Sequence, residues 1–176
     1  MFFNSALRYK IHCTFDQMLR MFRLCFLLFL LMTFLFSCRK LDRFEKNVSI
    51  PGYQWKQSFE PEISFEITDT VSMYQSFLVL RHTHAYAYRN IWLQLSFRQP
   101  GDSIFRAEKF ELNLQQSDGQ WLGTGLSDIW ELRHPLFSDI RFRQPGIYTI
   151  RIKQIMRDNP LSEVMSAGIR IEKMQP

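Results

Sequence analysis

The side chains able to do chemistry in this chain of 176 residues are few and scattered. His82 and His84 stand two apart, so on one strand both would project to the same side and offer two imidazoles to a metal ion. Zinc takes a third protein ligand, and His134 lies far along the chain, so the stretch 82–90 reads better as an exposed loop rich in polar aromatics. Glu60, Glu62 and Glu66, or Asp128 with Glu131, would serve acid–base hydrolysis only at a set separation across a cleft, and carboxylates on the solvent faces of strands are commonplace. No serine sits in a Gly-x-Ser-x-Gly elbow, and neither phosphate-cradling glycine pattern occurs. Gly119, Gly123 and Gly125 fit positive-φ turns and close backbone packing beside Trp121. No catalytic residue, metal ligand, cofactor or small-molecule substrate is expected, and the chain reads as a non-enzyme. Trp92 with Arg98, and Trp130 with Arg133, pair the two residue types most enriched where proteins meet, and these four are the expected partner surface. The alternative is a glycan-binding module in which Trp92, Trp121 or Trp130 stacks on sugar faces.

Cys38 carries the clearest chemical signal. It follows the uncharged run from Leu24 to Phe36, which Arg20 and Arg23 precede. A bilayer-spanning helix needs about 20 apolar residues, whereas a shorter run behind basic residues fits the core of an export signal. Leu35-Phe36-Ser37-Cys38 resembles a bacterial lipobox, in which cysteine is acylated and becomes the first residue of the mature protein. Residues 1–37 are therefore expected to be a signal peptide, with Met18 or Met21 as alternative starts. Removing the leader discards Cys13 and Cys25, leaving Cys38 alone, so no internal disulfide is expected. Acylation also masks a thiol that an oxidising envelope would make a liability.

Removing the leader settles the charge as well. The net charge is +5, but residues 1–37 hold four basic side chains and only Asp16 against them. What remains is nearly neutral and gives no electrostatic case for nucleic acid. Residues 38–52 are expected to be the lipidated Cys38 and a polar tether ending at Pro51-Gly52, and residues 53–176 the folded domain.

In that domain the dominant signal is alternation of period two. Ile63, Phe65 and Ile67 alternate with polar residues, as do Ile91, Leu93 and Leu95, then Phe110, Leu112 and Leu114, then Tyr148, Ile150 and Ile152. Phe77-Leu78-Val79-Leu80 is apolar on both faces and reads as a central strand. Turn residues punctuate the pattern at Pro100-Gly101-Asp102, Ser117-Asp118-Gly119 and Pro145-Gly146. One apolar and one polar face per strand, repeated about seven to nine times, predicts an all-β antiparallel β-sandwich, immunoglobulin-like or jelly-roll-like.

The order of several segments resembles the GldH family of gliding-motility lipoproteins of Bacteroidetes. Asp118-Gly119-Gln120-Trp121-Leu122-Gly123-Thr124-Gly125-Leu126-Ser127-Asp128-Ile129 is similar to that family's D-G-x-W-L-G-x-G-x-x-D-I segment. The segment from Ile140 to Thr149 is similar to its F-x-x-x-G-x-Y-T piece, and Gln154-Ile155-Met156-Arg157 to its Q-x-M-R piece. Gly168-Ile169-Arg170-Ile171-Glu172 is similar to its closing strand, and the whole likeness runs from about Asn47 to Lys173. The resemblance implies an envelope lipoprotein tied to gliding and, by association, to type IX secretion, with envelope motility or secretion proteins as partners. It carries over no catalytic residue, and only Cys38 transfers, as the lipidation position. The expected location is the outer membrane, facing the periplasm, and the missing acidic run after Cys38 argues against display at the cell surface, where similar lipoproteins often carry one.

Overall fold

The computed structural model describes residues 43–174 together with Phe22, Arg23 and Phe26. The expected signal peptide (those three side chains aside), its alternative starts Met18 and Met21, and the lipidation position Cys38 lie outside the described residues.

From Arg43 the chain is built almost wholly of strands. The first half holds β1 (Arg43–Ser49), a 3-10 turn (Pro51–Tyr53), β2 (Gln54–Trp55), β3 (Glu62–Ile67), β4 (Tyr74–Thr83), β5 (Asn90–Arg98) and β6 (Arg106–Asn113). The second half holds β7 (Thr124–Leu126), β8 (Ile129–Ile140), β9 (Gly146–Gln154), β10 (Leu161–Ser162) and β11 (Val164–Lys173). One sheet runs β1-β11-β4-β8-β7 and the other β3-β9-β5-β6, while β2 and β10 form a small ladder of their own.

The pairing follows a simple rule. β1 pairs with β11, β3 with β9, β4 with β8, and β5 with β6, all antiparallel. The chain is a ribbon doubled back at the β5–β6 hairpin and rolled up so that successive rungs fall in alternate sheets. That is the strand order of a jelly roll, so the eight long strands realise this form of the expected sandwich rather than the immunoglobulin-like one.

Alternating side chains of both sheets fill the space between them. Ile63, Phe65 and Ile67 of β3, Ile91 and Leu93 of β5, and Tyr148, Ile150 and Ile152 of β9 meet Leu78 and Leu80 of β4 and Ile169 and Ile171 of β11 in one core. Phe65, Phe142 and Tyr148 form its aromatic heart, with ring centroids 4.8–6.0 Å apart. Gln154 is buried with its amide satisfied. Its Nε2 donates to the carbonyls of Trp55 and Asp158, and its Oε1 accepts from the Met156 N–H. β4 is central, as its two-sided apolarity implied. Val79 points to the outer face, yet it is fully buried: it lies opposite Arg133 on β8 and beside Arg81 on its own strand, whose long side chains can cover it.

The tether expected over residues 39–52 is corrected by β1. Arg43–Ser49 pairs residue for residue with β11, from Arg43 opposite Glu172 to Ser49 opposite Ser166. Phe44 and Val48 pack against the core, and Ile50 is itself a core residue. Arg43 and Glu45, two of the charges that suggested a solvated tether, belong to the outer face. Arg43 reaches Glu172 at 3.9 Å and Glu45 reaches Arg170 at 3.1 Å, so they are cross-strand partners.

Registers also define two ends. The start of β1, the end of β11, the start of β4 and the end of β8 share one end of their sheet. The connections 68–73 and 141–145 cross from sheet to sheet there, and the hairpin 99–105 lies beside them, held by Gln144 Nε2 donating 2.7 Å to the Pro100 carbonyl. We call this the near end, because the chain enters the sandwich there at Arg43. The far end carries β2, β10 and the loops 84–89 and 114–123.

Candidate functional site

The four residues expected to make one partner surface are split by the sandwich. Trp92 and Arg98 occupy the outer face of β5, opposite the inward Ile91, Leu93 and Leu95. Trp92 is 42% exposed. Arg98 lies at the near end, with its guanidinium 4.7 Å from the centre of the Phe105 ring, and Arg151 covers the same ring at 4.0 Å. Trp130 and Arg133 sit on β8, three apart and hence on opposite faces. Trp130 packs inward against the core. Its ring covers Gly125, where a Cβ would come within 2.9 Å of it. Arg133 faces outward and joins Arg81 in holding Glu131, at 2.7 and 2.5 Å.

The glycan reading loses two of its three platforms on the same grounds. Trp121 is only 8% exposed, wedged against His82 at 4.6 Å between ring centres. Gly123 explains why its segment needs glycine. It has φ +94°, and a Cβ there would overlap the Glu131 carbonyl. Only Trp92 presents an open indole face among the three.

The histidine pair is structural. His82 is fully buried with Nδ1 2.8 Å from the Thr83 carbonyl, and its Nε2 finds no partner among the described residues. His84 Nδ1 accepts from the Trp121 indole at 3.1 Å. Tyr86, expected in an exposed loop, is buried with its hydroxyl donating to the Asn90 carbonyl. Among the described residues no three His, Cys, Asp or Glu side chains come close enough to hold a metal ion.

Burial holds the His82 pKa below the usual histidine value, with His84 nearby pushing the same way and the Thr83 carbonyl opposing. Burial alone lowers His134, which stacks on Phe110. Both groups take up a proton more readily in the unfolded chain. Stability is therefore complete above about pH 6.5 and falls as pH drops below it, by at most about 1.4 kcal/mol per pH unit for each group. Urea melts at pH 7.5, 6.5 and 5.5 should show the decline, and His82→Phe should flatten it. A wild-type midpoint constant across that range would contradict the assignment.

Concave surface is found on the open side of the roll, between β6 and β8, the last long strands of their sheets. β7 pairs only with Ile129–Glu131, so among the described residues the rest of the β8 edge has no neighbour. A cleft of about 630 Å³ enters there. Phe97, Phe110, Leu136 and Phe142 make its apolar wall, and Arg106, Arg141 and Arg143 stand at its near-end lip. Phe137 is half-exposed in its lining, while Leu126 and Ile129 lie exposed farther along, where β7 meets the start of β8. Of these residues sequence reading marks only Arg141 and Arg143, as part of a basic stripe with Arg151 and Lys153 that reads first as a solvated face. For the others the one available signal was Phe137, out of phase with the alternation of Trp130, Leu132, His134 and Leu136.

The comparisons with known proteins concern this same domain. The model of the GldH lipoprotein family matches residues 42–171. A gliding motility lipoprotein GldH homolog of Christiangramia forsetii is 26% identical over 144 residues, covering 78% of this chain and 87% of that protein. The gliding motility lipoprotein GldH of Flavobacterium johnsoniae is 27% identical over 146 residues, covering 79% and 89%. Among solved structures, a carbohydrate-binding module specific for non-crystalline cellulose aligns with TM-score 0.35 and 12% identity, over 73% of this chain and 69% of that one. The VP2 subviral particle of infectious bursal disease virus aligns with TM-score 0.35 and 12% identity, over 78% and 34%.

Proposed function

Since this chain belongs to the GldH lipoprotein family, linked to gliding motility, we propose that it is a non-enzymatic, membrane-anchored envelope protein acting through protein contacts. Cys38 carries the acyl anchor. The sandwich faces the periplasm from the outer membrane and serves the gliding apparatus together with the type IX secretion machinery.

The observation that supports a contact role is the open side of the roll. A stretch of β8 unpaired among the described residues, an apolar cleft beside it, and half-exposed Phe137 in its lining offer a partner both backbone hydrogen-bonding groups and apolar surface. Pro135 removes one backbone donor from β8, and Arg106 and Glu108 of β6 help line the cleft. Such features restrain indiscriminate strand pairing and leave recognition to a partner that fits.

Phe137→Glu tests this reading. Phe137 is half-exposed, so the change should cost well under about 1 kcal/mol of stability. It should nevertheless abolish colony spreading or type IX cargo release when it replaces the wild-type protein at equal abundance in the native cell. Crosslinking through a photoreactive residue at position 137 should recover a motility or secretion component. Normal motility and secretion in the variant would remove the open side from consideration. Saturable sugar binding that quenches Trp92 would instead favour the glycan reading, which now rests on that residue alone.

A further inference from the structure

The near end of the sandwich differs from the far end in both apolarity and charge. At the near end Val71 is 79% exposed and Ile104 75% exposed, each at the tip of its connection. Neither tip is loose. Asp69 accepts from the Val71 and Ser72 N–H groups at 2.8 and 3.1 Å, from the Ser72 hydroxyl at 2.7 Å and from Lys173 Nζ at 2.6 Å. These bonds hold the Asp69 carboxyl well below the usual carboxylate range, the Lys173 bond foremost, so the cradle stays charged at any physiological pH. In the 99–105 hairpin the Asp102 N–H donates to the Gln99 carbonyl at 3.1 Å, and Phe105 is clasped by two guanidiniums. Two loops fixed by these bonds thus hold bare aliphatic side chains out toward solvent.

Charge separates the ends as well. Residues 43, 67–74, 98–106, 139–147 and 172–173 carry six basic side chains against four acidic. The far-end residues 49–62, 82–91, 113–130 and 154–164 carry three basic against six acidic. Arg141 and Arg143 have no acidic partner among the described residues, and both flank buried Phe142.

The third observation is chain length. Only four residues separate Cys38 from Arg43, with Arg39 and Lys40 among them. Fully extended they bridge no more than about 18 Å. An acylated Cys38 at a bilayer therefore keeps the near end within reach of the headgroups, and with ten-residue strands about 33 Å long the sandwich cannot stand on its far end. This step rests on the proposed acylation.

We propose that the near end is a lipid-surface contact. Val71 and Ile104 enter the acyl boundary, and Arg141, Arg143, Arg98 and Arg106 meet the phosphates of anionic headgroups. The sandwich then stands on the membrane in one orientation, with the open β8 side running upward from it and the acidic far end pointing away.

The test uses the full acylated chain in vesicles of phosphatidylethanolamine with one-third phosphatidylglycerol. Val71→Cys, Ile104→Cys and, at the far end, Ser117→Cys each receive a bimane label. Quenching by nitroxide-bearing lipid should be at least fivefold stronger at 71 and 104 than at 117. Arg141→Glu with Arg143→Glu should lower the signal at 104, as should raising the salt to 1 M, where screening shortens to about 3 Å. Flotation of the unlabelled wild type beside Cys38→Ser reads the anchor separately. Flotation with equal quenching at all three positions overturns the orientation and leaves anchoring intact. A wild type that does not float overturns both.

Discussion

Replacing Arg43–Ser49 with a flexible Gly-Ser segment of equal length is expected to abolish cooperative unfolding of the sandwich. The replaced strand supplies a seven-residue ladder to β11 and places Phe44 and Val48 against the core. Each of those side chains contributes up to about 1.5–3 kcal/mol, and each ladder hydrogen bond about 0.5–1.5 kcal/mol net. The sum rivals the whole stability of an ordinary domain, about 5–15 kcal/mol. Gly168→Ala is the single-residue version. A Cβ at that position would overlap the Asn47 side-chain oxygen and lie 2.5 Å from the Lys46 carbonyl, so β1 must move off β11. Circular dichroism melts of both variants decide the matter. A solvated tether would tolerate both changes, so an unaltered transition in either would show that β1 is no part of the fold.

The same strand shows where sequence reading stops. Alternation made β3, β5 and β9 legible because their polar faces meet water and their apolar faces meet the core, which is the condition period-two patterning reports. In β1 only Phe44 and Val48 mark the buried side, with Lys46 between them, as suits an edge strand whose inward charge discourages further pairing. Arg43 and Glu45 look solvated in one dimension because their partners, Glu172 and Arg170, lie at the other end of the chain. A jelly roll pairs its first long strand with its last, so the evidence for β1 is as non-local as a contact can be.

The proposed surfaces were hidden for a related reason. Trp92 and Trp130 look alike as tryptophans near arginines, but Trp130 shares a strand face with Leu132 and Leu136, and that parity sends it inward. Conversely Val71 and Ile104 look unremarkable in sequence, and only the loop geometry around Asp69 and Phe105 leaves them bare. Exposure of an isolated aliphatic residue follows from what the backbone prevents it from reaching, which no local pattern records.

Cys38→Ser should release the folded protein from the membrane, lowering its membrane-bound fraction at least tenfold while leaving its melting temperature unchanged. The unchanged stability follows because the substitution precedes β1, where the sandwich begins. The release follows from magnitudes. Val71 and Ile104 offer at most about 1.5–3 kcal/mol each when fully buried, and the near-end arginines about 1 kcal/mol each at an anionic surface. That suffices to orient a body already held there but not to retain it through washing at high salt, which removes the charge component. Acyl chains contribute about 0.8 kcal/mol per buried methylene, and a second chain turns marginal binding into stable anchoring. Ultracentrifugal fractionation at low and high salt separates the two contributions. Residual binding of Cys38→Ser at low salt that vanishes at high salt measures the near end by itself. Full retention at high salt would mean that something other than Cys38 holds the chain, and loss of folding would mean that the leader and the sandwich are not independent.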